Sequence, residues 1–406
     1  MRHLFLMTLT LSLPWPLFGA ETCLWSKWSG VAAAVLRSAP EWAALQKKQD
    51  LNRTQIEAAA LGPQARAEAQ YLAGTPLRRE GEAEIRYEWT LERGGKQEAR
   101  QRLATTQLAL SVAGLESRKT ELLRDLAITA DRWQQIEHEQ EILKETVTTY
   151  RALIRQLSAQ AALSPEQDVT LAVFRLAHDE TLLKSGQLEV EQDGVRSQLA
   201  YLTGCTNVTL PKESPQERSQ WPEFPEEMQG QRAAWKRQQE AHKAHALALL
   251  DQEKAQSFSD VSIAPVARLS LEDGSGKPAF GLAASLPIGA SQQKATLEVA
   301  QAAFALAEAE TGLDAKKRNA DYVRWLHQYR SAVKVLRQGF AETAVQDKHE
   351  KMEKLFLAGR VNASLIIEAH RQMYEHLVSR HQIEWKAMEA YWNLRYLTGQ
   401  IQEGDL

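Results

Sequence analysis

His242 and His245 lie three residues apart in a helix-patterned stretch. That spacing puts two imidazoles on one face, where they can bind a metal ion, but no third ligand is evident nearby. His370, His376 and His381 are scattered over another helical stretch, and solvent-facing rings are the expectation for all five. No metal or other cofactor is expected. The sequence carries no nucleotide loop, nucleophile elbow, CxxC or HExxH, so the chain does not read as an enzyme. A secreted hydrolase would also need a triad or a carboxylate pair at fixed spacing, and neither is present. The two cysteines, Cys23 and Cys205, leave three outcomes open. They could form a disulfide in an oxidising compartment, stay as free thiols, or leave Cys23 to carry a lipid. Against the lipid, Glu21-Thr22 stand where small residues would be needed.

These residues belong to a chain that nearly repeats itself. Leu199-Ala200-Tyr201-Leu202-Thr203-Gly204 returns as Leu394-Arg395-Tyr396-Leu397-Thr398-Gly399. The offset of about 195 residues is too long for a solenoid repeat and fits a duplicated half-protein. Ahead of the first half, residues 1–20 read as a secretory signal peptide. Arg2 and His3 are followed by an apolar core from Leu4 to Leu13, a break at Pro14 and Pro16, and cleavage after Ala20. The apolar run is too short to span a bilayer, and no later segment offers ~18 continuous apolar residues. Charged residues make up 25% of the chain and the net charge is −3, so no basic surface speaks for nucleic acid.

Two regions alternate with the period of a strand. From Ala65 to Ala73, Ala65, Ala67, Ala69, Tyr71 and Ala73 oppose Arg66, Glu68 and Gln70. After a turn through Gly74-Thr75-Pro76 and Gly81, Ala83, Ile85, Tyr87, Trp89 and Leu91 oppose Glu82, Glu84, Arg86 and Glu88. In the second half Val261, Ile263, Pro265, Ala267, Leu269 and Leu271 face away from Ser262, Arg268, Ser270 and Glu272. The turn Asp273-Gly274-Ser275-Gly276 follows, and then Phe280, Leu282, Ala284, Leu286 and Ile288 share a face. The runs have the ~9–11 residues that a tilted strand needs to cross a bilayer. Tyr71, Tyr87, Trp89 and Phe280 are the membrane-facing aromatics of this reading.

Long helices separate the hairpins. Leu115, Leu122, Leu126, Trp133, Ile136, Leu143, Val147, Tyr150, Ile154 and Leu157 step by threes, fours and sevens, a coiled-coil seam. Lys96 to Gln160 predicts one helix of ~65 residues and ~97 Å. Pro165 marks a turn, and helices over Glu166–Leu202 and Glu226–Gln256 climb back past an irregular, proline-rich segment. The second half runs down from Gln292 to Leu357, turns at Gly359 and returns over Asn362–Leu397. One helix from Trp28 to Leu61 completes the set. The half-repeats are thus 21–204, with hairpin 65–91 and helical hairpin 96–203, and 226–400, with hairpin 261–288 and helical hairpin 292–399. Residues 205–225 form an irregular equatorial segment between them, and 401–406 are a tail. Four strands cannot close a membrane barrel, and open edges are forbidden in lipid. Three copies would give twelve strands, within the usual range, with charged strand faces lining the bore.

The sequence resembles the TolC-like outer-membrane efflux protein family over essentially all of the mature chain. The resemblance rests on the two Leu-Thr-Gly endings, on Gly94-Gly95-Lys96-Gln97-Glu98-Ala99-Arg100 where a strand passes into a helix, and on Leu357-Ala358-Gly359-Arg360-Val361-Asn362 at the second helical turn. Gly94-Gly95-Lys96 looks most like the heavy-metal-efflux, CzcC-like branch. The resemblance implies a mainly α fold with a membrane β-barrel: a homotrimeric twelve-stranded barrel in outer-membrane lipid, continued by a periplasmic α-helical tunnel. It implies an exit duct for a tripartite efflux or type I secretion system, with a periplasmic adaptor and an inner-membrane pump as partners. Family docking motifs map to Gly359, Arg360, Val361 and Asn362, and less closely to Ala162, Leu163 and Ser164, where Pro165 departs from the pattern. Family members close the tip with rings of acidic residues. Glu368 takes one such place, Leu365 occupies the other, and Asp168 is a further candidate. The alternative is a soluble periplasmic coiled-coil adaptor or scaffold, which would need neither four amphipathic strands nor two equal halves.

Overall fold

The computed structural model describes residues 22–72, 81–160, 162–205, 207–211, 221–230, 233–272, 275–287, 291–338, 351–352, 354–355, 358 and 360–405. The expected signal over 1–20, the turn at Gly74-Thr75-Pro76 and Gly359 lie outside the described residues.

The chain opens with β1 (Thr22–Leu24), α1 (Trp28–Ser38) and α2 (Pro40–Ala59). Sequence periodicity predicts a single helix here, but Pro40 starts a new one. Its ring disfavours helical geometry at the preceding residue, and Ala39 accordingly has φ −54° and ψ 127°. A hairpin follows, β2 (Arg66–Leu72) and β3 (Gly81–Leu91), then α3 (Lys96–Ser158), 63 residues without a break. The seam residues Leu122, Leu126, Trp133, Ile136, Leu143, Val147 and Tyr150 are all buried along it. The chain returns in α4 (Pro165–Thr203), passes β4 (Asn207–Thr209), and rises again in α5 (Ala234–Gln256). The second half repeats the plan with β5 (Val261–Glu272), β6 (Ser275–Ser285), α6 (Ser291–Gln338) and α7 (Ala363–Thr398). A 3-10 turn (Glu403–Asp405) ends it.

α5 starts later than its expected Glu226 because the segment before it is held in an irregular path. The hydroxyls of Tyr322 and Tyr329 on α6 donate to the carbonyls of Pro225 and Pro222, each at 2.7 Å. Proline leaves those stretches short of backbone donors, so side chains fasten them. The Trp235 indole likewise donates to the carbonyl of Leu397, 3.0 Å away. The main hydrophobic core sits at this equator and gathers Trp28, Val31, Leu126, Trp133, Leu199, Tyr322, Trp392 and Leu394. A disulfide between Cys23 and Cys205 ties the first strand to it, where β1 pairs in parallel with β4.

α3 packs against α2 and α4 of its own half and against α5 and α7 of the other, while α6 packs against α5 and α7. No helix among the described residues is long and apolar enough to cross a membrane.

Candidate functional site: sheet, helical tips and gate position

The four longer strands form one antiparallel sheet in the order β2-β3-β5-β6, which leaves β2 and β6 as its edges. The register places residues of one kind together. Tyr71 pairs with Ala83, Ile85 with Ala267, Ala267 with Phe280 and Trp89 with Ile263, so the apolar faces of both hairpins merge into one. Tyr71, Tyr87, Trp89 and Phe280 are all exposed on it, Phe280 to 84%, and the Tyr87 and Trp89 rings meet edge to face at 4.8 Å. On the opposite face charges oppose across strands: Arg66 pairs with Glu88, Glu68 with Arg86 and Glu84 with Arg268. Arg268 of β5 reaches Glu82 at 2.7 Å and Glu84 at 2.8 Å, both on β3. The β3–β5 ladder pairs Arg86 with Val266 and resumes at Trp89 with Ile263. Pro265, which has no N–H to give, falls in the gap.

A pair of glycines connects the sheet to α3. Gly94 and Gly95 both have φ +71°, in the left-handed region that side chains avoid. A Cβ on Gly94 would lie 2.4 Å from the Phe258 ring. Lys96 then pairs with Asp260 at 2.7 Å, and Asp260 also accepts the Arg93 amide at 3.1 Å; Arg100 pairs with Glu92. The conformation and ion pairs of this junction account for Gly94-Gly95-Lys96 without reference to any cargo.

At the first tip, Ser164 is the N-cap of α4. Its hydroxyl accepts the Gln167 amide at 3.2 Å, and the Gln167 side chain accepts the Ser164 amide at 2.9 Å, a capping box. Pro165 takes the first helical position, where its missing donor costs nothing, so the departure at this position is helix-start chemistry. Ala162 is exposed and Leu163 half-buried. At the second tip the Asn362 side chain caps α7 by accepting the Leu365 amide at 3.0 Å. Arg360 is exposed and Val361 half-buried beside it.

Glu368, one turn into α7, is not a lone carboxylate. Arg371 grips it with two hydrogen bonds of 2.9 and 2.7 Å, and the Gln372 amide adds a third at 2.6 Å. The Arg371 guanidinium and the Gln372 amide hold its carboxyl below the usual carboxylate range, and Arg371 also reaches Glu375 at 2.9 Å. Asp168 is exposed in the first turn of α4, where the helix dipole favours a negative charge.

His242 is exposed as expected, but two of the other histidines depart from expectation. His370 is 3% exposed and His381 4% exposed, both on the face of α7 that carries the buried Ile366 and Leu377. His370 Nδ1 donates to the carbonyl of Ile366 at 2.8 Å. The steps from 366 to 370, 377 and 381 are the coiled-coil signal that could have revealed this burial. His245 is half-buried, and burial, then His242, pushes its titration down. Among the described residues no group of three or more His, Cys, Asp or Glu is arranged to hold a metal ion.

No protein-family model matches the sequence, and no curated protein does. Solved structures do. CusC, whose structures concern folding and transmembrane channel formation, is similar with a TM-score of 0.72 at 14% identity over 91% of each chain. The open state of the Neisseria gonorrhoeae MtrE outer membrane channel gives 0.71 at 14% identity, over 92% of this chain and 89% of that one. The Campylobacter jejuni CmeC outer membrane channel gives 0.70 at 13% identity, over 97% and 91%. The fold of this chain, paired hairpins continued by long helices in two repeats, is the fold of these outer-membrane channels.

Proposed function

We propose that the protein is an outer-membrane exit duct: three copies share one twelve-stranded barrel, and their helices form a periplasmic tunnel below it. The observation that carries this is the sheet. It has two unpaired edges, β2 and β6, and one broad exposed apolar face rich in aromatics. A soluble adaptor would have to bury that face, whereas a shared barrel gives it lipid and closes both edges.

The duplication says where the copies meet. α3 packs on α5 and α7 of the other half, so α6 should pack on their counterparts, α2 and α4, of a neighbouring copy. Apolar stripes at heptad spacing stand exposed where this requires them: Leu176, Leu183 and Val190 on α4, and Val299, Leu306 and Leu313 on α6.

Conduction is passive, with energy supplied by an inner-membrane pump through a periplasmic adaptor that meets the tips around 162–164 and 359–362. Opening separates the tip helices. The Glu368 position forms a charge-compensated ring with Arg371, rather than three bare carboxylates. Cargo is unassigned, because the junction geometry explains the residues that suggested the heavy-metal branch.

Copies carrying Ala69→Cys on β2 together with Phe280→Cys, Leu282→Cys or Ala284→Cys on β6 test the shared barrel. Oxidation of membranes should yield dimers and trimers for at least one pair. If all three pairs remain monomeric, the edges do not meet and the reading fails.

A further inference from the structure

The two halves of the chain keep one register. β2 and β5 begin at Arg66 and Val261, α3 and α6 at Lys96 and Ser291, and α4 and α7 end at Thr203 and Thr398, the same interval each time. Residues of one half can therefore be carried onto the other. At one place the halves hold the same side chain in opposite states. Tyr396, near the end of α7, is 6% exposed. α3 covers it: the Arg124 guanidinium lies over the ring at 4.7 Å, and the hydroxyl donates to Glu121 at 3.1 Å. Its counterpart on α4, Tyr201, is 62% exposed.

The counterpart of α3 is α6. The same interval carries Glu121 onto Lys316 and Arg124 onto Asn319, both exposed. Leu313 and Val323, exposed as well, stand one turn before and one turn after them. A seat for an aromatic ring is thus laid out on α6 and a ring on α4. Within one chain, however, α4 packs on α1, α3 and α7, while α6 packs on α5 and α7. A second copy brings ring and seat together.

Charge favours the same partner. From Lys316 to Arg337, α6 carries seven lysines and arginines against one acid, Asp321. From Asp179 to Asp193, α4 carries five acids against one lysine, Lys184. Pairs within the chain take up some of these, Glu191 with Arg132 and Arg324 with Asp321, but the two helices keep opposite net sign. Opposed fields of this kind steer two surfaces together and fix their register.

We propose that Tyr201 of each copy seats on α6 of the next, its ring against Asn319 and its hydroxyl at Lys316. The seat keeps the plan of the Tyr396 contact and changes its chemistry. Under Tyr396 the cation lies against the ring and a carboxylate takes the hydroxyl proton. Under Tyr201 the cation has moved to the hydroxyl end, where the ammonium donates to the phenol oxygen. The aromatic anchor that joins the halves of one chain is reused to join neighbouring copies. This inference rests on the proposed duct, in which α6 meets α4 of a neighbour.

p-Benzoylphenylalanine in place of Tyr201 reads the contact directly, in full-length chains produced in membranes together with differently tagged chains. On irradiation it should join the differently tagged chain within residues 316–323. The paired cysteines on β2 and β6 report separately on the barrel. An adduct elsewhere, or none, in membranes whose β2–β6 cysteines do crosslink overturns the seat and leaves the duct standing. Failure of both overturns the two together. In detergent, Tyr201→Ala should keep its helical circular dichroism and weaken association of the copies roughly tenfold or more, the loss expected of a central aromatic anchor. A Tyr201→Ala protein that associates as tightly as wild type also overturns the proposal.

Discussion

Cys23 and Cys205 are joined across 182 residues of sequence, and the bond fastens the three-residue strand β1 to the equatorial core beside β4. Two such short strands hold little by themselves, so the covalent link supplies what pairing cannot. Closing a loop of this length restricts the unfolded chain, and its loss typically costs about 2–5 kcal/mol. Cys23→Ser with Cys205→Ser should lower the midpoint of denaturant unfolding by a corresponding amount. The same bond occupies the Cys23 sulfur, so the intact mass of the membrane-extracted protein should show no acyl chain on it.

Gly94 and Gly95 share a φ of +71° but not a neighbourhood. An added Cβ at Gly95 meets nothing within 4 Å, whereas at Gly94 it runs into Phe258. Gly95→Ala should cost about 1–2 kcal/mol from left-handed strain alone. Gly94→Ala should cost more by a further 1–3 kcal/mol, roughly the range for overpacking. Thermal unfolding of the two variants side by side separates strain from collision.

Arg371 decides the charge of the Glu368 position. With Arg371 present the Glu368 carboxyl titrates below its ordinary range, so it remains ionised and compensated as pH falls through that range. In Arg371→Ala the compensation is lost and protonation should begin at higher pH. At neutral pH the reversal potential of the reconstituted channel in a salt gradient should move toward cation selectivity. It should move back on acidification, earlier than in wild type.

Joining the tips should stop transport without stopping assembly. Ala162 and Arg360 are exposed at the two helical turns, so Ala162→Cys with Arg360→Cys, bridged by a short bifunctional crosslinker, should abolish export in cells. Trimer recovery should be unchanged, and export should return when the bridge is cleaved. Export that survives bridging contradicts an opening by separation of the tips.

Much of this architecture was legible in the residues. The alternation around Tyr87 and Trp89, the glycines at the strand-to-helix junction and the heptad seam from Leu122 to Tyr150 are each local signals, and β3 and α3 lie within a few residues of their expected bounds. What the sequence hid depends on contacts between distant segments. The Ala39–Pro40 break was masked by apolar periodicity that continues through both helices. The irregular path before α5 needed Tyr322 and Tyr329, roughly a hundred residues on. His370 and His381 carry no burial signal in their residue type, since histidine is intermediate in burial, and only their heptad spacing with Ile366 and Leu377 marks them as buried. The grip of Arg371 on Glu368, by contrast, was available as an i,i+3 pair.

A barrel shared among copies would make the protein a membrane-bound trimer. Fractionation with and without detergent, followed by mass determination of the solubilised particle, decides between this and a soluble protein. A shared barrel should give a particle of three chains, found in the outer-membrane fraction and released only by detergent. A soluble monomer or dimer in the periplasmic fraction would contradict it, and the four strands would then belong to an ordinary soluble sheet.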